Sequence, residues 1–216
     1  MKNKNKAFTL VEIVLAMAII GVVAVLTITN ATKDSDEATK VAQLRSTYNI
    51  LNTGYTKMTL EGDVWLPNLV DHIKVSKLCR KDGTDITTNG DGCFNEDAKS
   101  IGGVELDDRM ANGTKAILSN GASIWLSYTD QLYVDVNGPN KGNNIIGDDV
   151  FHFSVGQSID PSGGPDSPFS MSPDDYACPY YGDECTAWVI KMGNMEYLKC
   201  PESLSWTEVG KSTCNQ

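Results

Sequence analysis

The apolar residues of the N-terminal quarter follow a helical pattern. Residues 8–28 read FTLVEIVLAMAIIGVVAVLTI, with Glu12 as the one charge among them. A helix of this length is about 30 Å long, which matches the apolar core of a bilayer. Turn-forming residues after Leu60 predict the end of the helix there. Before that end, apolar residues recur at steps of three and four and predict one buried stripe. The stripe consists of Val41, Leu44, Tyr48, Leu51, Tyr55 and Met58.

Farther along the chain, the apolar period changes to two, which is typical of strands. TKAILSN and ASIWLSY flank Asn120-Gly121, the strongest short hairpin signal. QLYVDVN and DVFHFSV (149–155) follow after polar segments. The four segments predict an antiparallel meander with one face on the helix stripe and the other in solvent. Ile124 and Leu126 alternate with Trp125 and Ser127, so the latter pair is expected on the outer face.

The remaining segments have weaker patterns. Residues 67–78 predict a short helix with Leu69, Ile73 and Leu78 facing inward. Residues 82–92 are rich in turn formers and predict a surface loop, as do residues 156–175, where Pro, Ser and Gly dominate. Residues 186–192 and 195–198 are expected to form short strands or helices.

Cysteine usage and charge narrow the protein class. The six cysteines all lie beyond residue 28, which favours disulfides in an oxidising compartment. Fifteen pairings exist, and the spacing favours three local ones: Cys79–Cys93, Cys178–Cys185 and Cys200–Cys214. The net charge of −10 argues against binding nucleic acid through a basic surface, so no nucleic-acid partner is expected.

Charges around the apolar segment predict its orientation in a membrane. Three lysines precede it and acidic residues follow it, which places the short leader in the cytoplasm and the bulk of the chain outside. A secretory signal peptide is disfavoured, because the apolar run is too long and no small-residue cleavage site ends it. A plain single-pass anchor explains the length of the run and the lysines but not Glu12, since a carboxylate at membrane depth is costly unless something neutralises it.

The segment KAFTLVEIVLAMAIIG resembles the N-terminus of type IV pilins and of the pseudopilins of type II secretion systems. The resemblance implies that a prepilin peptidase cuts between Ala7 and Phe8 and methylates the new amine of Phe8. Glu12 then becomes the fifth mature residue, whose carboxylate pairs with the first-residue amine of a neighbouring subunit. Two departures stand out. Ala7 replaces the usual glycine before the cut, and no proline follows the apolar segment near Thr29.

Together, the patterns and the resemblance predict an α+β, pilin-like fold, in which a long N-terminal helix packs on an antiparallel sheet and disulfides staple the C-terminal region. We expect a cleaved leader (1–7), a transmembrane and polymerisation half of the helix (8–29), an amphipathic half (30–61) and an extracytoplasmic head (62–216). Removal of the leader takes away three lysines and leaves a net charge of −13.

The expected function is that of a structural filament subunit without enzymatic activity. The expected partners are the membrane, other pilins or pseudopilins, the prepilin peptidase and assembly platform proteins. The protein is expected in the bacterial inner membrane with its C-terminus outside, and then in a periplasmic or cell-surface filament. The sequence leaves open a pilus, a DNA-uptake filament or a secretion filament. The alternative is a membrane-anchored binding module that never polymerises and binds a ligand with its Trp-rich head.

One loop offers a candidate metal site. DVNGPNKGNNIIGDD contains oxygen-bearing side chains of the kind that calcium prefers: Asp135, Asn137, Asn144, Asp148 and Asp149. Some major pseudopilins hold calcium in a loop near their sheet, and a solvated turn is the alternative explanation. No cofactor is expected for catalysis. His72 and His152 lack the sequence context of a catalytic triad or a zinc site.

Overall fold

The computed structural model describes residues 10–80, 92–95, 98–103, 113–127, 131–155, 169–170, 178, 185–205 and 212–214. For residues 21–34, Arg80 and residues 169–170 it describes the backbone alone. The chain divides into two compact units, Met1–Ala38 and Thr39–Gln216. Of the predicted surface loops at 82–92 and 156–175, residues 82–91, 156–168 and 171–175 lie outside the described residues. Phe169–Ser170 form a short strand, so the prediction of a loop is wrong there.

Helix α1 spans Leu10–Leu60 and ends where the sequence predicts. Its last turn is closed by Gly62, whose φ of 86° only glycine adopts at low cost, with bonds from the Gly62 and Asp63 amides to the carbonyls of Thr59 and Met58. The predicted stripe is buried: Val41, Leu44, Leu51 and Met58 belong to the core, with Tyr48 and Tyr55 packed against it.

A mixed sheet lies in the second unit. Seven strands follow the order β1-β3-β4-β5-β7-β6-β2, and an eighth, β8, pairs with β7. The strands are β1 (Val75–Arg80), β2 (Lys99–Ser100), β3 (Thr114–Leu118), β4 (Ser123–Leu126), β5 (Gln131–Asp135), β6 (Ile145–Ile146), β7 (Val150–Val155) and β8 (Phe169–Ser170).

The predicted meander is present as the antiparallel run β3-β4-β5-β7. The expectation of a wholly antiparallel sheet is wrong at one edge, because β6 runs parallel to both β7 and β2. Strands of two residues carry no usable period, so β2 and β6 gave no sequence signal.

Both faces of the central strands are covered. One face carries Ile124, Leu126, Leu132 and Val134 in the main core cluster, as the alternation predicts. The Tyr48 ring of α1 stacks on Phe153 of β7, with ring centroids 6.0 Å apart. The opposite face was expected in solvent, and this expectation is wrong. Trp125 is only 2% exposed there and lies in a second cluster, whose members are Phe94, Ala98, Trp125, Ile146 and Val150.

The predicted helix at 67–78 is also corrected. A 3-10 turn at Leu66–Asn68 and one helical turn, α2 (Leu69–His72), are followed directly by strand β1. Leu69 is buried as expected, but Leu78 is 46% exposed. Val75, a β-branched residue with strong strand preference, marks the change of structure.

The C-terminal region is helical and stapled. The sequence left open whether residues 186–192 and 195–198 form strands or helices, and the structure shows helices. They are α3 (Cys185–Met192) and a 3-10 turn at Glu196–Leu198, and a further 3-10 turn follows at Pro201–Ser203. Arg45 of α1 donates from Nη2 to the carbonyl of Ile190 at 2.7 Å. The three disulfides join the pairs that the spacing favoured, namely Cys79–Cys93, Cys178–Cys185 and Cys200–Cys214.

Candidate functional site

The loop from Val136 to Asp149, between β5 and β7, is organised around the Asp149 carboxylate. This side chain is completely buried. Its Oδ1 accepts the backbone N–H of Ile145 at 2.7 Å, and its Oδ2 accepts those of Asn143 at 2.7 Å and Asn144 at 3.0 Å. Hydrogen bonds from several backbone N–H groups replace the hydration that a carboxylate loses on burial. Asp149 therefore holds the loop in shape.

Asp135, at the other end of the loop, forms an Asx turn. Its Oδ1 accepts the backbone N–H groups of Asn137 at 3.1 Å and Gly138 at 2.9 Å. Burial, reinforced by the negative charge of Asp149, raises the pKa of the Asp135 carboxyl to about 7. The two bonds from the Asn137 and Gly138 amides oppose that rise only in part.

Three side-chain oxygens in this loop are buried yet accept no hydrogen bond from the residues that the structure describes. They are Asp135 Oδ2, Asn137 Oδ1 and Asn144 Oδ1. Asn144 adopts a φ of 53°, in the left-handed region that asparagine tolerates better than most residues. A buried acceptor without a partner costs roughly 1–3 kcal/mol, so these three oxygens are the atoms of the loop that a water or a cation would contact.

Asp148, another member of the predicted metal set, has a different role. Its Oδ1 pairs with the Lys40 ammonium of α1 at 2.5 Å, with both side chains less than a fifth exposed. The neighbouring carbonyl of Gly147 accepts the Tyr197 hydroxyl at 2.7 Å. The loop is thus held from α1 and from the C-terminal region, and neither contact was predicted from the sequence.

The two histidines do not form a catalytic arrangement in the described part of the chain. His152 lies on β7 with its ring 4.6 Å from that of Tyr133 and its Nε2 against Gln131 Oε1. Burial lowers the pKa of His152 to about 4, so it is neutral at physiological pH. His72 lies elsewhere, with Nδ1 3.3 Å from Glu61 Oε2.

A second group has the spacing of a metal site but not the chemistry. Among the described residues, Glu196, Cys200 and Cys214 bring three ligand-type atoms within 4.8 Å of one another. Cys200 and Cys214 are joined in a disulfide, and a metal binds the thiolate form of cysteine. Glu196 Oε2 accepts the backbone N–H of Cys214 at 3.0 Å instead, which ties Cys214 to the 3-10 turn at Glu196–Leu198.

The N-terminal segment is described only in part. Ala7 and Phe8, the residues of the predicted cleavage and methylation, lie outside the described residues. Glu12 lies in the first turn of α1. Within the part that the structure describes, no helix combines the length and the apolar character needed to cross a membrane. The side chains of residues 21–29 of the predicted span are not described.

Comparison with known protein families identifies this segment. Residues 2–28 match the family model of the prokaryotic N-terminal methylation motif. The chain carries the type IV pilin and pseudopilin signature. The match covers the N-terminal segment and not the α+β unit that follows it. Neither the curated proteins nor the solved structures contain a significant match to the chain.

Proposed function

We propose that the protein is a pilin or pseudopilin: a structural subunit that the prepilin peptidase cuts between Ala7 and Phe8, and that assembles into a filament through its N-terminal helix. The observation that carries this proposal is the methylation motif at residues 2–28. Its subunit fold would be pilin-like, with the amphipathic half of α1 packed on the sheet. It would act as a structural protein and not as an enzyme.

The surface of the first helical turns supports assembly through this segment. The apolar side chains from Leu10 to Ile20 are all exposed, from 47% at Ile13 to 80% at Leu10. An apolar surface of this size requires a covering, either lipid before assembly or neighbouring helices after it. Prepilin peptidase and assembly platform proteins in the inner membrane are the partners that this route needs.

Glu12 would supply the alignment of subunits. In an apolar helical bundle, the Glu12 carboxylate and the methylated amine at Phe8 of a neighbouring subunit would neutralise each other's charge. Only one axial offset brings the two charges together, so the pair would select the register in which a subunit is added. The match of residues 2–28, a range that includes Phe8 and Glu12, to the methylation motif supports this role.

The test begins with the mass of the N-terminal peptide from the protein's own cells. We expect a peptide that begins at Phe8 and carries one additional methyl group. An intact peptide from Met1 would overturn processing and favour the anchored binding module.

Glu12→Ala is expected to abolish filaments while membrane insertion and cleavage continue. The control Glu202→Ala removes an exposed acid of the second unit and is expected to leave filaments unchanged. Filaments that persist in Glu12→Ala would overturn the alignment role.

We further propose that the loop between β5 and β7 binds calcium. The observation that favours it is the set of buried, unsatisfied oxygens, Asp135 Oδ2, Asn137 Oδ1 and Asn144 Oδ1. Neutral and anionic oxygens are the ligands that calcium prefers, and the ion would offset the burial of two neighbouring carboxylates. Asp148 fits less well, because Lys40 occupies its carboxylate.

Thermal unfolding of the folded second unit within the full-length protein tests calcium binding. We expect calcium to raise the unfolding temperature and a chelator to reverse the rise. Asp135→Asn should remove the effect, and Asp148→Asn should retain it. An unfolding temperature that calcium leaves unchanged in the wild-type chain would overturn the site. A calcium response lost in Asp148→Asn but kept in Asp135→Asn would overturn the ligand assignment.

A further inference from the structure

The sequence of strand β1 and its two flanking residues has an unusual concentration of positive charge for so acidic a chain. Residues 74–81 read KVSKLCRK, with four basic residues and no acidic one, and nowhere else does the sequence place four basic residues within eight positions. The net charge of the chain is −10. We call the two described lysine side chains, those of Lys74 and Lys77, the basic edge, because β1 lies at one end of the strand order.

The described side chains of the basic edge face solvent. Lys74, Ser76 and Lys77 are exposed, and Leu78 between them is 46% exposed. The disulfide from Cys79 to Cys93 anchors the far end of the strand. These residues therefore present two ammonium groups and an apolar side chain on a backbone that is held in place.

The geometry of β1 disfavours recognition by addition of another strand. Two register shifts interrupt its pairing with β3, one between Val75 and Lys77 and one between Leu78 and Arg80. Bulges and lysines on an edge strand prevent regular pairing with a further strand. A partner would instead be recognised by charge through the lysine side chains, with Leu78 as an apolar contact.

We propose that the basic edge binds the acidic turn of α1, residues 34–37 (DSDE), in a second copy of this chain. The inference rests on the proposed function and names a contact between its subunits. Subunits that each carry many negative charges repel one another, so assembly favours contacts between opposite charges. The acidic turn has three carboxylates in four residues, and Asp36 is exposed.

Charge reversal in the full-length protein, expressed in its own cells, tests this contact. Lys74→Glu and Asp36→Lys are each expected to reduce the amount of sheared filament severalfold, and the combined variant should recover it. Lys57→Glu is the control, since it makes the same change of charge at an exposed helical position outside the basic edge. A lysine that serves only to keep the edge soluble could be replaced by glutamate without loss, because either charge opposes strand pairing.

The outcomes separate this contact from the function on which it rests. Filaments that form in normal amounts from Lys74→Glu overturn the contact and leave the proposed function intact, and so does a combined variant that fails to recover. An absence of filaments from the wild-type chain would overturn the proposed function.

As a second measurement, a photo-crosslinking residue at position 78 should capture a peptide that contains residues 34–37 of another copy. The same residue at Leu198, which is 38% exposed, should not. Capture of a different protein at position 78 would overturn the assignment of the partner.

Discussion

Asp135 and Asp149 lie buried at the two ends of one loop, and the charge of Asp149 adds to the effect of burial in raising the pKa of Asp135 to about 7. Their environments differ. Asp149 accepts three backbone N–H groups, whereas Asp135 accepts two on one oxygen and none from a described residue on the other. The loop therefore contains one carboxylate that the backbone stabilises and one that is destabilised when charged.

The raised pKa of Asp135 predicts a dependence of stability on pH. The folded protein keeps Asp135 protonated up to about pH 7, whereas an unfolded chain loses this proton near the ordinary value of 3.8. Between these values the folded state binds more protons, so without calcium the free energy of unfolding falls as pH rises and levels off above about pH 7. Between about pH 4 and pH 7, this effect of Asp135 lowers the free energy of unfolding by on the order of 4 kcal/mol.

Asp135→Asn cannot ionise, and we expect it to lose this part of the pH dependence. Denaturant unfolding in the presence of a chelator, at several pH values from about 4 to 8, measures the difference between the two proteins. Parallel pH profiles for wild type and Asp135→Asn would contradict the prediction.

Asp149→Asn tests the organising role of Asp149. The substitution places an amide N–H₂ against backbone N–H donors and leaves buried groups unsatisfied, so we expect a loss of about 3 kcal/mol or more. Asp148→Asn is the matched control, because it removes the ion pair with Lys40 and keeps the backbone bonds to Asp149, so we expect a smaller loss of about 1–2 kcal/mol. Both losses are measured by denaturant unfolding with and without calcium. Equal losses in the two variants would show that Asp149 does not organise the loop.

Gly54→Ala distinguishes helix propensity from tertiary packing. Propensity alone predicts stabilisation by about 1 kcal/mol in the middle of α1. A Cβ at Gly54 would overlap Cγ2 of Ile73 and lie 3.3 Å from Cδ1 of Leu69. We therefore expect a net destabilisation of about 1–3 kcal/mol by thermal unfolding. Thr53→Ala, at the exposed neighbouring position, should change stability little, and a more stable Gly54→Ala protein would refute the close packing.

Asn120→Ala tests the connection between the β3–β4 hairpin and α1. The Asn120 amide donates from Nδ2 to Thr47 Oγ1 at 2.9 Å, and its Oδ1 accepts the Ala122 N–H at 3.2 Å. Thr47 is completely buried. We expect a loss of about 1–3 kcal/mol, since both bonds are removed and the Thr47 hydroxyl loses its donor. Thr47→Val in the Asn120→Ala background should cost little more, and additive losses would contradict the coupling.

Local sequence signals predicted much of the fold. The apolar period along the helix predicted the stripe from Val41 to Met58. The turn preferences of neighbouring residues predicted the end of α1 and the hairpin at Asn120-Gly121. The disulfide couples follow from short separations. The prediction that one face of β4 meets solvent was wrong. The alternation of residues along the strand shows only which residues share a face. Whether Trp125 meets solvent depends on Phe94 and Ala98, which are distant in sequence.

The loop shows the same division within a single site. Its composition predicted Asp135, Asn137, Asn144 and Asp148 as candidate oxygen ligands. Composition does not show which of these side chains are buried or which are already paired with another residue.

By itself, the sequence determined the methylation motif, the helical stripe, the central meander and the oxygen-rich loop, since each depends on residues that are close together along the chain. Only the tertiary structure decided that Asp149 is held by backbone amides, that Asp148 pairs with Lys40 from 108 positions away and that Asp135 keeps an unsatisfied oxygen. These outcomes depend on burial and on which distant groups meet, and no local pattern encodes them.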